Sequence, residues 1–375
     1  MSARVTRKRS RAEEKEQDLP PAKREPDQDD PESAGVPTGT GAWRAEQQAG
    51  DGQVFERDEE FWFEDGTVIL VACDVEFRFY KGLLAGLSPV FKDLFEVRRL
   101  PCEQTFSCPV VHVSDSPEDL RHVLRTCSSK RPGRLYGEQE PSYQEISAAI
   151  RLGRKYKIAD LYSQSMEYLK DYFTDTIECS GIPLSLSLPP GWKELDAIGV
   201  VNLARLTGEL SLLPSAFIAC ICAKSKGPNG IVHGNTREDG SHEHLSSNDL
   251  AVCFNGKTSL RIATIAAVMR TFEPAAPPAC ERPTACKTAL REVLLNLKDQ
   301  LDLLLDGDPF VSYRMFSGPR GGLGVCRPCA AMVHERSLKE RKDVWDRLPE
   351  LLGIDVPGWR QEPAPLRPQP EGGAT

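Results

Sequence analysis

Four cysteines in the last third of the chain offer its most specific chemistry. Cys326-Arg-Pro-Cys329 is a Cys-x-x-Cys pair in a glycine-rich turn ahead of a predicted helix. Cys280 and Cys286 lie upstream, with five residues between them. Two neighbouring pairs of thiolates make up the ligand set of a tetrahedral structural zinc site. The second pair has the usual spacing and the first is looser, so the competing reading is a group of ordinary buried thiols. A long amphipathic helix is expected between the pairs, bringing them together as the ends of an antiparallel hairpin. His334 is a spare ligand for the same ion. A redox Cys-x-x-Cys needs a thioredoxin-like βαβ setting, and the flanking sequence has none.

Other arrangements carry less. His233, His242 and His244 sit in one polar loop with no ordered frame around them, and a solvated loop is the expectation. Gly256-Lys-Thr-Ser259 looks like half of a P-loop, but Ala251 stands where the first glycine is needed and no strand precedes it. The glycines between Gly318 and Gly324 lack the order of a dinucleotide-binding turn. No Gly-x-Ser-x-Gly elbow and no nucleophile–base set stands out, so the chain is expected not to be an enzyme.

The elements that must position the cysteines follow from the whole chain. Its 375 residues allow two domains. A net charge of −8 argues against nucleic-acid binding, which needs a basic face. The most apolar run, Leu210 to Ala223, is too short to span a bilayer. No leader-like apolar run opens the sequence, so an intracellular, reducing location is expected. The 12 cysteines are then expected as thiols or metal ligands.

Residues 1–57 are rich in charge, proline and glycine and are expected to be disordered, as are residues 361–375. Arg7-Lys-Arg-Ser-Arg11 and Lys23-Arg24 have the separation of a bipartite nuclear import signal, or are simply a solvated charged tail. From Phe61 the pattern changes. Thr67–Ala72 and Glu76–Tyr80 predict a hairpin. Leu83, Leu84 and Leu87 predict one short helix. Ser88-Pro89 caps a second, whose apolar face is Val90, Phe91, Leu94 and Phe95. Val110–Val113 predicts a third strand, and Ser116-Pro-Glu-Asp119 a helix start. Helices are then predicted over 143–156 and 158–172. After a linker at 180–190, helices are predicted over 192–207, 212–223, 245–269, 286–305 and 330–352, with a polar loop at 224–244. Leu290, Leu294, Leu297, Leu301 and Leu304 form a stripe expected to be core.

At this point residues 61–173 resemble a BTB/POZ domain. Asp65-Gly66-Thr67-Val-Ile-Leu70, Phe77-Arg-Phe-Tyr-Lys-Gly-Leu-Leu84 and above all Ser88-Pro-Val-Phe-Lys-Asp-Leu-Phe95 carry the likeness. Tyr80 and Lys81 stand where the family usually has histidine and arginine. Val110–Leu120 with Leu152–Ile158, and later Ile198–Pro214 and Trp345–Trp359, resemble the subset abundant in mushroom-forming fungi. The resemblance implies an α+β fold: a small three-stranded sheet with a helical cluster at 58–178, then an all-helical region at 190–360. It implies protein partners, among them a second copy of the chain, and for some relatives a cullin-type ubiquitin ligase or transcription regulators. The expected role is an interaction module or adaptor; the alternative is a zinc-stabilised nuclear transcription-associated regulator.

Overall fold

Two apolar strands so close in sequence pair with each other. β2 (Val68–Ala72) and β3 (Val75–Phe79) form the antiparallel hairpin, in register from Val68↔Phe79 to Ala72↔Val75. Cys73 takes the left-handed backbone in the turn, with φ 51°. The computed structural model describes residues 55–97, 108–128, 140–173, 188–223, 230–306, 310, 312–316 and 322–359. The basic clusters Arg7 to Arg11 and Lys23-Arg24, most of the 180–190 linker and the 361–375 tail lie outside them.

β4 (Val110–Val113) adds to β2 in parallel. A further strand, β1 (Glu56–Trp62), runs parallel to β3, giving the order β1-β3-β2-β4. The sheet thus has four described strands where three were expected, and the expected tail does not reach residue 57: Glu56 pairs with Val75 and Arg57 with Glu76. Asp58 explains how so acidic a strand holds. It is buried and accepts from the Phe61 amide at 2.8 Å and from the Arg121 guanidinium at 2.7 Å. Its charge is therefore compensated rather than stranded. β2 is covered on both faces, with Val68, Leu70, Val71 and Ala72 all buried, as a central strand must be.

α1 (Lys81–Leu87) and α2 (Pro89–Val97) follow, and Ser88 caps α2 by accepting from the Phe91 amide at 3.0 Å. Its hydroxyl also donates to the Tyr156 carbonyl, tying α2 to a distant helix end. Phe91 stacks on Tyr156 at 4.3 Å between ring centroids. α3 (Pro117–Ser128), α4 (Tyr143–Lys155) and α5 (Ala159–Tyr172) complete this part. α4 opens with a capping box, Ser142 and Glu145 satisfying each other's backbone. It has two apolar faces: Ala149 and Leu152 join the core under the sheet, while Ile146 and Ile150 join a second, larger core.

That second core is built with α6 (Asp196–Thr207), α7 (Leu213–Cys222) and α8 (Ser247–Thr271). α5 contributes Met166 and Leu169 to it, and Phe173 just past its end joins them, so the helices on either side of 174–187 share one interior. The described residues accordingly form one compact unit. The polar loop expected at 224–244 is, from residue 230, an ordered clasp. β5 (Asn235–Thr236) and β6 (His242–Glu243) pair antiparallel. Asn235 donates to Asp196, and Glu243 accepts from the Tyr143 hydroxyl at 2.6 Å. Arg237, nine-tenths buried, meets Asp119 at 2.6 Å, and Arg151 meets the same carboxylate.

The C-terminal helices differ from the expected lengths. In place of one helix over 286–305 there are α9 (Pro283–Asn296), a 3-10 turn at Leu297–Asp299 and α10 (Leu301–Asp306). No proline or glycine marks the break. The tightened turn lets Leu290, Leu297 and Leu304 all reach a satellite core with Val268 and Phe272 of the α8 end, and it leaves Leu301 53% exposed. The last helix likewise divides, into α11 (Arg327–Asp346) and α12 (Leu348–Leu352). Pro349 accounts for the division, since its ring excludes the carbonyl four residues back. Among the described residues no helix is long and apolar enough to cross a membrane.

Candidate metal centre

Two helix starts converge on the four cysteines. Cys286 lies in the first turn of α9, Cys326 is the N-cap of α11 and Cys329 lies in the first turn of α11. Cys280 lies in the loop ahead of α9. Proline in the opening turn starts each helix without losing a needed hydrogen bond, Pro283 in α9 and Pro328 in α11. Gly324, at φ +65°, supplies the left-handed residue that turns the chain into Cys326. The pairs therefore meet as two N-termini and not as the ends of one helical hairpin.

The four sulfur atoms lie within 4.8 Å of one another. Cys280 Sγ is 3.7 Å from Cys326 Sγ and 3.4 Å from Cys329 Sγ. A tetrahedron with zinc–sulfur bonds of about 2.3 Å sets sulfurs about 3.8 Å apart, so the spacing fits one ion. It leaves no room among the sulfurs for a multi-iron cluster. Cys286, Cys326 and Cys329 are buried, Cys280 is half-buried, and Ala276 and Val325 pack against them. None of the ten described cysteines is bridged in a disulfide.

Unpaired amides and the positive end of a helix dipole both favour thiolate. Hydrogen bonds from the backbone amides of Cys329 and Glu281 outweigh the desolvation of Cys326 and draw its thiol down to about 6. The Cys326 amide in turn donates to Cys286 Sγ at 3.3 Å. Burial pushes Cys329 well above its ordinary range and also raises Cys280, whose sulfur accepts from the Arg282 amide. A divalent cation would take all four sulfurs as thiolates, and the backbone donors around them form the outer shell such a centre needs. The cluster can therefore bind a metal such as zinc.

The sequence expectation of Cys280, Cys286, Cys326 and Cys329 as one group is met by this geometry. His334 is not part of it: it lies on the exposed face of α11. His233, His242 and His244 are exposed and form no metal cluster among the described residues. Gly256 lies inside α8, facing Leu352, far from any phosphate-binding turn. The polar clasp residues Asn235, Arg237 and Glu243 were missed, because nothing in the sequence separates a clasp from a solvated loop. No protein-family profile matches the chain, and no curated protein matches it significantly.

Proposed function

We propose that the protein is a non-enzymatic protein-interaction module whose C-terminal helices are held by a structural zinc ion. The observation that carries this reading is the closed four-cysteine cluster. Four protein sulfurs fill a tetrahedral shell and leave no position for a substrate water, which is the arrangement of structural zinc. The ion would join the start of α9 to the start of α11, beside the satellite core they share with α8. The order of hairpin, helix pair, strand and helices over 58–173 supports the BTB/POZ-like part of the reading. The partners are then proteins: a second copy of the chain, a cullin-type ligase subunit or a regulator.

A second reading, a zinc-stabilised nuclear transcription-associated regulator, has the same centre. It is favoured by the basic clusters Arg7 to Arg11 and Lys23-Arg24. Affinity capture of the full chain from its native cell, with mass spectrometry and light scattering of the purified protein, tests the main reading. A stoichiometric protein partner or a dimer is expected. A monomer that captures no partner and turns over a small substrate would overturn it. Nuclear accumulation of the tagged chain favours the second reading; exclusion from the nucleus removes it.

A further inference from the structure

The four sulfurs of the metal centre are not equally shielded. Cys286 and Cys329 are 0% exposed and Cys326 5%, while Cys280 is half-buried. The fold explains the difference. Three of the sulfurs belong to the openings of α9 and α11, whereas Cys280 is carried on the loop ahead of α9. Its amide closes a turn on the Pro277 carbonyl at 2.9 Å. Pro278, Ala279, Glu281 and Arg282 on either side of it are all exposed. The solvent-facing sulfur of the cluster is therefore that of Cys280. It also has two other sulfurs in reach, Cys329 at 3.4 Å and Cys326 at 3.7 Å. A disulfide bond is about 2.05 Å long, so closing either pair needs a movement of about 1.5 Å. An accessible sulfur beside a resolving one is the arrangement that oxidation selects.

We propose that the centre is an oxidation site: a hydroperoxide oxidises Cys280, and Cys329 or Cys326 resolves it into a disulfide, releasing the metal. The inference rests on the zinc reading and gives that centre a regulation. Zinc holds the sulfurs as thiolates, the form that reacts with peroxide. The Cys280 thiolate takes one peroxide oxygen as the O–O bond breaks, and hydroxide leaves. The neighbouring thiolate then attacks the sulfenic sulfur. The S–S bond forms, the S–O bond breaks and a second hydroxide leaves. The two sulfurs have lost two electrons and the peroxide has gained them; the two hydroxides take protons from solvent and become water. The ion is left with two thiolates, too few for a closed tetrahedral shell, and departs. The new bridge still ties the loop ahead of α9 to the start of α11, so oxidation unloads the metal without parting the two segments. A reductant reopens the bond and restores the four ligands.

The test uses the full chain, purified in reductant, its zinc counted and the reductant removed. Hydrogen peroxide is then added with a chromogenic zinc probe present, against a sample without peroxide. Zinc should be released, and peptide mass spectrometry should find Cys280 joined to Cys329 or Cys326. A phosphine reductant with added zinc should restore the metal. Cys280→His keeps a zinc ligand but removes the accessible sulfur, so it should hold zinc and release it at least about tenfold more slowly. If that variant does not load, the wild-type disulfide map decides alone. Cys73→Ser, which removes the exposed cysteine of the β2–β3 turn, should release zinc as fast as wild type. A first disulfide that omits Cys280, release that the phosphine does not reverse, equally fast release from zinc-loaded Cys280→His, or slowed release in Cys73→Ser would overturn the inference. Zinc held through peroxide would reject the oxidation step while leaving the zinc reading standing. Wild type without zinc before peroxide would overturn the zinc reading and this inference with it.

Discussion

Gly199 in α6 is a sharp test of how the two halves of the molecule meet. A Cβ at this position would overlap the Tyr143 hydroxyl and come within 2.7 Å of Glu243 Oε2. In an open helix, glycine to alanine stabilises by about 1 kcal/mol. Here the added methyl must push a buried phenol off its partner. Losing a hydrogen bond to a charged group costs about 1.5–3 kcal/mol. Overpacking adds about 1–3 kcal/mol. After the propensity gain, Gly199→Ala is expected to destabilise by about 2–5 kcal/mol. For a unit of this size that lowers the melting temperature by about 4–10 °C. Gly82→Ala in α1 is the control, since nothing lies within 4 Å of its Cβ, and it should melt at or slightly above wild type. Tyr143→Phe should recover only part of the Gly199→Ala loss, because it removes the hydroxyl at 1.6 Å but leaves Cζ at 2.3 Å from the added Cβ. Calorimetry or thermal circular dichroism reads all four proteins. A Gly199→Ala variant melting at or above wild type would refute the packing of α6 on α4.

Asp119 is buried and holds both Arg151 and Arg237, so Asp119→Ala leaves two guanidinium groups facing each other. Urea unfolding should show a loss of about 3–5 kcal/mol, and a loss under about 1 kcal/mol would show the clasp to be dispensable. Tyr143 and Tyr156 are each raised above the ordinary 10.0, first by burial and then by Glu243 and Asp115 respectively. A raised folded-state value means the stabilisation is intact below 10.0 and is lost as pH climbs through the folded value. Their ultraviolet ionisation signal should therefore appear together with alkaline unfolding; ionisation in the folded protein would contradict their burial. Chelation should remove hydrogen-exchange protection from α9, α10 and the start of α11, where the cysteines adjoin the satellite core, while the β2–β3 hairpin stays protected. Uniform loss, or none, would separate the cysteines from the fold's stability.

Local signals carried much of the fold. The β2–β3 hairpin, the Ser88 cap and the helix start after Ser116 each follow from neighbouring residues, and each stands where the pattern puts it. β1 was hidden because Glu56-Arg-Asp-Glu-Glu60 has the composition of a tail. The cation that makes Asp58 tolerable inside, Arg121, lies 63 residues away. The break after Asn296 was invisible because the leucine stripe runs through it. Packing on Phe272 rather than propensity sets the turn. The four cysteines were legible from spacing, but not their meeting at two helix starts, since that depends on the return of the chain from α10 to α11.

The most direct test of the central claim is the metal content of the full chain, measured by inductively coupled plasma mass spectrometry on wild type and Cys326→Ser purified without chelator. Four thiolates in one closed shell predict about one zinc per wild-type chain and a substantial loss in the variant. Wild type without zinc, or equal zinc in both proteins, would contradict it.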